Sequence, residues 1–325
     1  MHVCVIGGGI AGSLLAWRLI QQPGIQVDVF AGTHRDLDAT EASGGGVRGY
    51  ESDPEQRALA LTSLMELLDS RVLRDWADYH RTGSAYLQWP NQAVAAAVSE
   101  VDSALNGSAE LKPAFKLGWH GTPQGAVAIV ERLAGYISPA SLRRHVLTEV
   151  ARRATVREGN LTHPHKGYDK VVLATGAWTP ELLRRNGYSD DGYQTKAIQY
   201  TIYRTGRWLP PVFVDEISGL YGRPSARGLL LGLPTQDWDV APAHGIPAEG
   251  LEEKAAKLAA ARFPELRLGP VVARRMGVDC YTSQPGLRLR PVDNRLYTFT
   301  GGSGGSVKTA LAASQIAARA LTSSR

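Results

Sequence analysis

Apolar residues run unbroken from Val3 to Ile6, pass through Gly7-Gly8-Gly9, and resume at helical spacing through Leu14, Leu15, Leu19 and Ile20. That change of period predicts a strand, a tight turn and a helix. A second alternating run, Gln26-Val27-Asp28-Val29-Phe30, predicts the next strand of a Rossmann-type βαβ opening. Pro54 to Tyr79 carries Leu61, Leu64, Leu68, Val72 and Trp76 at helical spacing and reads as one helix. From Thr82 to Val130 scattered aromatics and polar turns predict no strong helix and part of a second, sheet-rich domain. Ser138 as N-cap and Pro139 at the first helical position predict a helix through Arg153.

Lys170-Val171-Val172-Leu173 predicts a buried parallel strand that returns the chain to the first sheet, followed by a short helix from Glu181 to Asn186. Strands are expected again at Lys196 to Tyr203, Gly219 to Tyr221 and Arg227 to Gly232, with a helix from Ala248 to Arg262. Arg295 to Thr300 predicts a last strand, and a second glycine turn launches a helix through Ala320. The pattern as a whole is α/β, α+β overall: a Rossmann-type domain interleaved with a smaller antiparallel-sheet domain.

Composition narrows the class. With 325 residues, 43% hydrophobic and 21% charged, the chain can build a sizeable core without staples. No stretch approaches eighteen uninterrupted apolar residues, and the N-terminus lacks a basic lead-in, so neither a membrane span nor a signal peptide is expected and a cytoplasmic location is. The net charge of +5 comes from dispersed arginines rather than a basic tract, which argues against a nucleic-acid partner, a modified tRNA base included. Cys4 and Cys280 have no metal spacing, and His163-Pro164-His165 reads as surface, so no metal is expected.

Chemistry enters with Gly7-x-Gly9-x-x-Gly12. Placed after a strand and opening a helix at Ile10 and Ala11, it is a dinucleotide fingerprint whose pyrophosphate rests on the helix N-terminus. At the end of the second strand, where an acid ordinarily meets the ribose, stand Ala31 and Gly32. Together with Thr33-His34-Arg35 they leave open a 2′-phosphate, hence an NADP-linked reductase. The small-residue loop from Asp38 to Tyr50 continues along the expected path of a long cofactor.

These elements together resemble the D-amino-acid oxidase superfamily of FAD oxidoreductases, in its sarcosine oxidase and glycine oxidase branch. The resemblance rests on the first glycine motif, Ala42-Ser43-Gly44-Gly45, Val172-Leu173-Ala174-Thr175-Gly176-Ala177-Trp178, Tyr221-Gly222-x-Pro224-Ser225 and Gly301-Gly302-Ser303-Gly304-Gly305-Ser306-Val307-Lys308, in the family's order from end to end. It implies an FAD-binding domain made of residues 1–80, 136–190 and 284–325 and a substrate-binding domain of 81–135 and 191–283. It also implies oxidation of a C–N bond in a small-molecule amine or amino acid, or an amine-bearing pathway intermediate, to an imine, by a monomer or homodimer. Cofactor contacts are implied at Ser43, Gly44, Gly45, Thr175, Gly176, Trp178 and the turn from Gly302 to Lys308.

Lys308, in the first turn of the last helix, and Arg48 are expected beside the flavin as catalytic residues, with Tyr281 and Tyr221 lining the substrate pocket. Departures from the family weigh equally. Glu51 replaces its carboxylate-binding arginine and reads as a solvated glutamate or as one that meets a cationic substrate; Leu230 replaces its oxygen-activating lysine, which puts O2 as acceptor in doubt and admits another acceptor or a flavin scaffold without turnover. Arg288 or Arg290, on one face of a strand, could stand in for the missing arginine. The family's flavin-linking segment is Cys-x-Tyr-Thr, whereas this chain reads Asp279-Cys280-Tyr281-Thr282. The shift of one residue turns Cys280 to the other face of a strand, so noncovalent FAD is expected.

Overall fold

The computed structural model describes residues 1–32, 38–159, 167–242 and 247–323; Thr33, His34, Arg35 and the His163-Pro164-His165 segment lie outside them. The opening apolar run forms the strand His2–Ile6, buried from Val3 onward. Such a strand fits only within a parallel sheet covered on both faces. It lies between Gln26–Ala31 and Lys170–Leu173, both parallel to it. The six-stranded sheet continues to Thr155–Glu158 on one side, and to Leu296–Thr300 and the antiparallel edge Arg288–Pro291 on the other. Strand order reverses at His2–Ile6, and the crevice beyond the carboxyl end of such a strand is where open α/β sheets receive ligands.

Helices Ile10–Leu19, Pro54–Asp69, Pro139–Val150 and Ser306–Ser323 share one core, with Leu14, Leu64, Val146 and Leu321 buried in it. Polar ties fix their alignment. Arg18 pairs with Glu66 at 2.6 Å, and Ala312 N donates to Ser63 Oγ at 3.0 Å.

A second sheet of eight strands runs in the order Leu268–Thr282, Tyr193–Thr205, Gly228–Gly232, Tyr221–Ser225, Val212–Asp215, Ser84–Gln88, Val127–Glu131 and Ala109–Pro113. Its pairs are antiparallel except that between Val212–Asp215 and Ser84–Gln88. Alternation along Gly228–Gly232 sends Leu229 and Leu231 into a core with Phe263 and Ala259, the latter from helix Leu251–Arg262, while Leu230 faces a large cavity. The two sheets enclose that cavity.

Three elements differ from the sequence reading. The helix expected over Pro54 to Tyr79 is two, because Ser70 takes an extended conformation and its hydroxyl accepts the Leu73 N–H, starting Arg71–Ala77 afresh. A helix, Val94–Ala104, stands where none was expected. Its buried face of Val94, Ala97, Val98 and Val101 is a helical stripe whose small alanines weaken the signal. The strand placed at Gly219 to Tyr221 is Tyr221–Ser225, because Asp215 closes a turn by accepting the Ile217 and Ser218 N–H groups at 3.2 Å.

Candidate active site

The first glycine turn opens on a cavity of about 1220 Å³. Gly7 has φ +117°, and a Cβ there would overlap the Ala174 carbonyl; a Cβ on Gly12 would overlap the Gly7 carbonyl. Both positions therefore need glycine for close packing, and Gly12 supports the turn from behind rather than lining the cavity. Gly9 caps the following helix without a side chain, and Ile10 N donates to Thr40 Oγ1 at 3.0 Å. Ala31 and Gly32 also border the cavity. Beside Ala31, in register on the next strand, stands Glu158, a cavity-wall carboxylate supplied by a neighbouring strand.

Ser43, Gly44, Gly45, Thr175, Gly176 and Trp178 also line the cavity. So do Gly302, Ser303, Gly304, Ser306, Val307 and Lys308, from the turn that launches the last helix. Gly305 lies behind them, its Cβ direction 3.4 Å from Lys308 Nζ. Turns from opposite ends of the chain thus meet in one space.

Around Lys308 sits a buried charge cluster. Glu51 lies 2.6 Å from Lys308 Nζ and 2.8 Å from Arg48 Nη2. Burial opposes ionisation of Glu51, but Arg48 and then Lys308 outweigh it and hold its pKa below the ordinary value. Lys308 is itself pushed down by burial and by Arg48, with Glu51 compensating in part. Arg48 also donates Nε–H to Tyr50 O at 3.0 Å and lies over the Tyr86 ring. Glu131 completes the cluster, accepting the Gly49 and Tyr50 N–H groups while burial raises its pKa. Glu51 does not line the cavity; it holds two cations from behind.

The second sheet supplies the opposite wall, including Tyr200, Tyr221, Arg223, Leu230 and Tyr281. Arg223 is taken up by the Gly44 and Pro224 carbonyls and stacks 4.3 Å over Tyr136. Cys280 also borders the cavity, but its Sγ lies 3.9 Å from Tyr281 O, beside Thr300 and Arg290, and burial raises its pKa to about 11. Arg288 and Arg290 do not line the cavity, contrary to the role raised for them above. Arg288 pairs with Glu55 at 2.7 Å, and Arg290 is consumed by the carbonyls of Thr300, Gln284 and Gly286.

Asp279 is the cavity-wall residue that reading by resemblance passed over, because it was weighed only as the neighbour of Cys280. It is 8% exposed, and burial raises its carboxyl from 3.8 to about 7. The folded value lies above the unfolded one, so the folded state binds the extra proton between them and stability falls as pH rises from about 4 to about 7. Asp279→Asn mimics the protonated form. Its unfolding free energy relative to the native chain is expected to move from near zero at pH 4 to about 2–4 kcal/mol more stable at pH 8. Urea melts at the two pH values check this, and a pH-independent difference would refute it.

The family model described as FAD dependent oxidoreductase, DAO, matches residues 2–320. Among solved structures, L-proline dehydrogenase from P. horikoshii is similar with a TM-score of 0.80 and 16% identity, over 100% of this chain and 94% of that one. Glycine oxidase from Bacillus cereus ATCC 14579 follows at 0.74 and 15%, over 100% and 95%. A modified fructosyl peptide oxidase from Aspergillus nidulans gives 0.77 and 14%, over 99% and 90%. At these identities the likeness is one of fold. No curated protein matches the sequence. The residues fit the family's cofactor: Gly44 and Gly176 border the cavity with no atom within 4 Å of their Cβ directions, leaving room for a ligand against the backbone.

Proposed function

The chain belongs to the DAO family of FAD-dependent oxidoreductases, and from that premise we propose that it oxidises the C–N bond of an amine or amino acid to an imine. FAD, when bound, accepts the hydride equivalent from the carbon beside nitrogen. One observation carries the reading: glycine turns from both ends of the chain open into a single cavity that the second sheet closes with Tyr221 and Tyr281. The family assignment replaces the NADP reading of Ala31 and Arg35 with FAD.

In this reading the Gly7–Gly12 turn and the helix Ile10–Leu19 hold the pyrophosphate, and Glu158 takes the ribose hydroxyls in place of the acid missing at Ala31. Residues 1–80, 136–190 and 284–325 bind the cofactor; 81–135 and 191–283 hold substrate. Lys308 and Arg48, steadied by Glu51, place positive potential where negative charge grows in the ring system. A substrate amine bound neutral needs no separate base. The Cys280 thiol faces Thr300, which favours noncovalent FAD.

Absorbance of the purified protein before and after acid precipitation tests this. Yellow colour is expected in the supernatant, bleaching anaerobically with amines and returning slowly in air because Leu230 brings no cation to the cavity. Colour kept in the pellet would overturn noncovalent binding. Flavin that no amine bleaches would leave a scaffold without turnover.

A further inference from the structure

The cavity's cations are largely spoken for, and its buried acid is not. Lys308 and Arg48 share Glu51, and Arg223 is held by carbonyls and the Tyr136 ring. Asp279 is more than nine-tenths buried and lines the same cavity, and among the described residues its carboxyl has no hydrogen-bond donor or cation beside it. Its cross-strand neighbour Lys196 also lines the cavity but makes no ion pair with it among the described residues, Nζ lying 4.5 Å from the Trp238 ring centroid and 5.9 Å from that of Tyr281. An ammonium already rests against this aromatic wall, as cation–π attraction permits.

Asp279 and Lys308 flank one turn. A Cβ on Gly304 would lie 3.9 Å from Asp279 Oδ2, and one on the next residue, Gly305, 3.4 Å from Lys308 Nζ. The carboxylate and the Lys308 ammonium are therefore met by adjacent residues of one turn. We propose that Asp279 anchors a second, positively charged amine of the substrate, so that the site takes diamines and related dications rather than simple amino acids. The inference rests on the reading of the cavity as an amine-oxidising site and names its substrate class.

A buried carboxylate without a counter-ion is costly, and an ammonium that meets it supplies a charge-assisted hydrogen bond. Binding needs the ionised form, so affinity rises with pH through about 7, the value to which burial brings this group. Lys196 across the strand pair and Lys308 across the turn are the neighbouring cations, and Tyr221, Tyr281 and Cys280 have pKa values raised by burial, so they stay neutral across that range.

The test is a calorimetric titration of the FAD-loaded protein under nitrogen at pH 8 with 1,4-diaminobutane, pentylamine and 4-aminobutanoate, flavin absorbance being followed in parallel. The native chain is expected to bind 1,4-diaminobutane about 10- to 100-fold tighter than pentylamine, and Asp279→Asn to erase that preference. Asp279→Glu is expected to keep most of it. A preference surviving in Asp279→Asn, no preference in the native chain, or tighter binding of 4-aminobutanoate would overturn the proposal. Asp279-dependent binding with a flavin that never bleaches would instead defeat the oxidase reading and leave the dication site standing.

Discussion

Glu51→Gln is expected to lower the unfolding free energy by about 3–5 kcal/mol, the cost of leaving buried charge without its partner. The substitution keeps the side chain's shape, so packing around it changes little. What it removes is the carboxylate that lies within 2.8 Å of both Arg48 and Lys308. Both cations are largely withdrawn from water: their side chains are 12% and 13% exposed. Double substitution to Glu51→Gln with Lys308→Met is expected to recover a large part of the loss, because removing both members of a buried pair costs less than removing one. Urea midpoints of the three chains decide it; a Glu51→Gln midpoint equal to the native one would mean that the cluster is not electrostatically coupled. The pH dependence has a definite sign. The folded pKa of Glu51 is depressed, so its contribution is complete above the ordinary carboxylate range and is lost as pH falls through the folded value. The native chain should therefore lose stability in acid more steeply than the Gln variant.

The same residue marks how far sequence reading carried. Glu51 was legible as a departure, and the simplest account was a solvated glutamate or one that meets a cationic substrate. The structure buries it behind Lys308 instead, because Lys308 and Glu51 are brought together from positions 257 residues apart and no local pattern records the pairing. The glycine turns were legible, since each is a local event in which strand, turn and helix follow in order. Leu230 was legible by resemblance, as the residue at the position of the family's oxygen-activating lysine, and alternation within Gly228–Gly232 does turn it to the cavity. Arg290 was not, for the alternation that placed it on one face of a strand says nothing of the carbonyls of Gln284 and Gly286 that claim it. Asp279 and Glu158 escaped for a related reason. Each acquires its place from the cross-strand register, Asp279 opposite Lys196 and Glu158 opposite Ala31.

Gly12→Ala is expected to abolish retention of FAD, with affinity reduced at least about 100-fold, the loss of two hydrogen bonds to a charged group. The added Cβ would overlap the Gly7 carbonyl, so the helix must move away from the strand or the turn must open. Neither movement is easy. Gly7 N–H is tied to Phe30 O at 2.8 Å, its own Cβ direction is filled by the Ala174 carbonyl, and Ala174 N–H is tied to Ile6 O at 2.7 Å. Displacing the helix instead shifts the N-terminal N–H groups proposed above to hold the pyrophosphate. Gly24→Ala is the control: its φ of +72° strains any side chain by about 1 kcal/mol, but nothing lies within 4 Å of the new atom and the turn is remote from the cavity. Flavin absorbance per chain after gel filtration reads the outcome, with far-ultraviolet circular dichroism reporting the fold of each variant. The Gly24 variant should stay yellow and the Gly12 variant emerge colourless yet folded. A folded Gly12→Ala protein that keeps stoichiometric FAD would remove the first glycine turn from the phosphate-holding role.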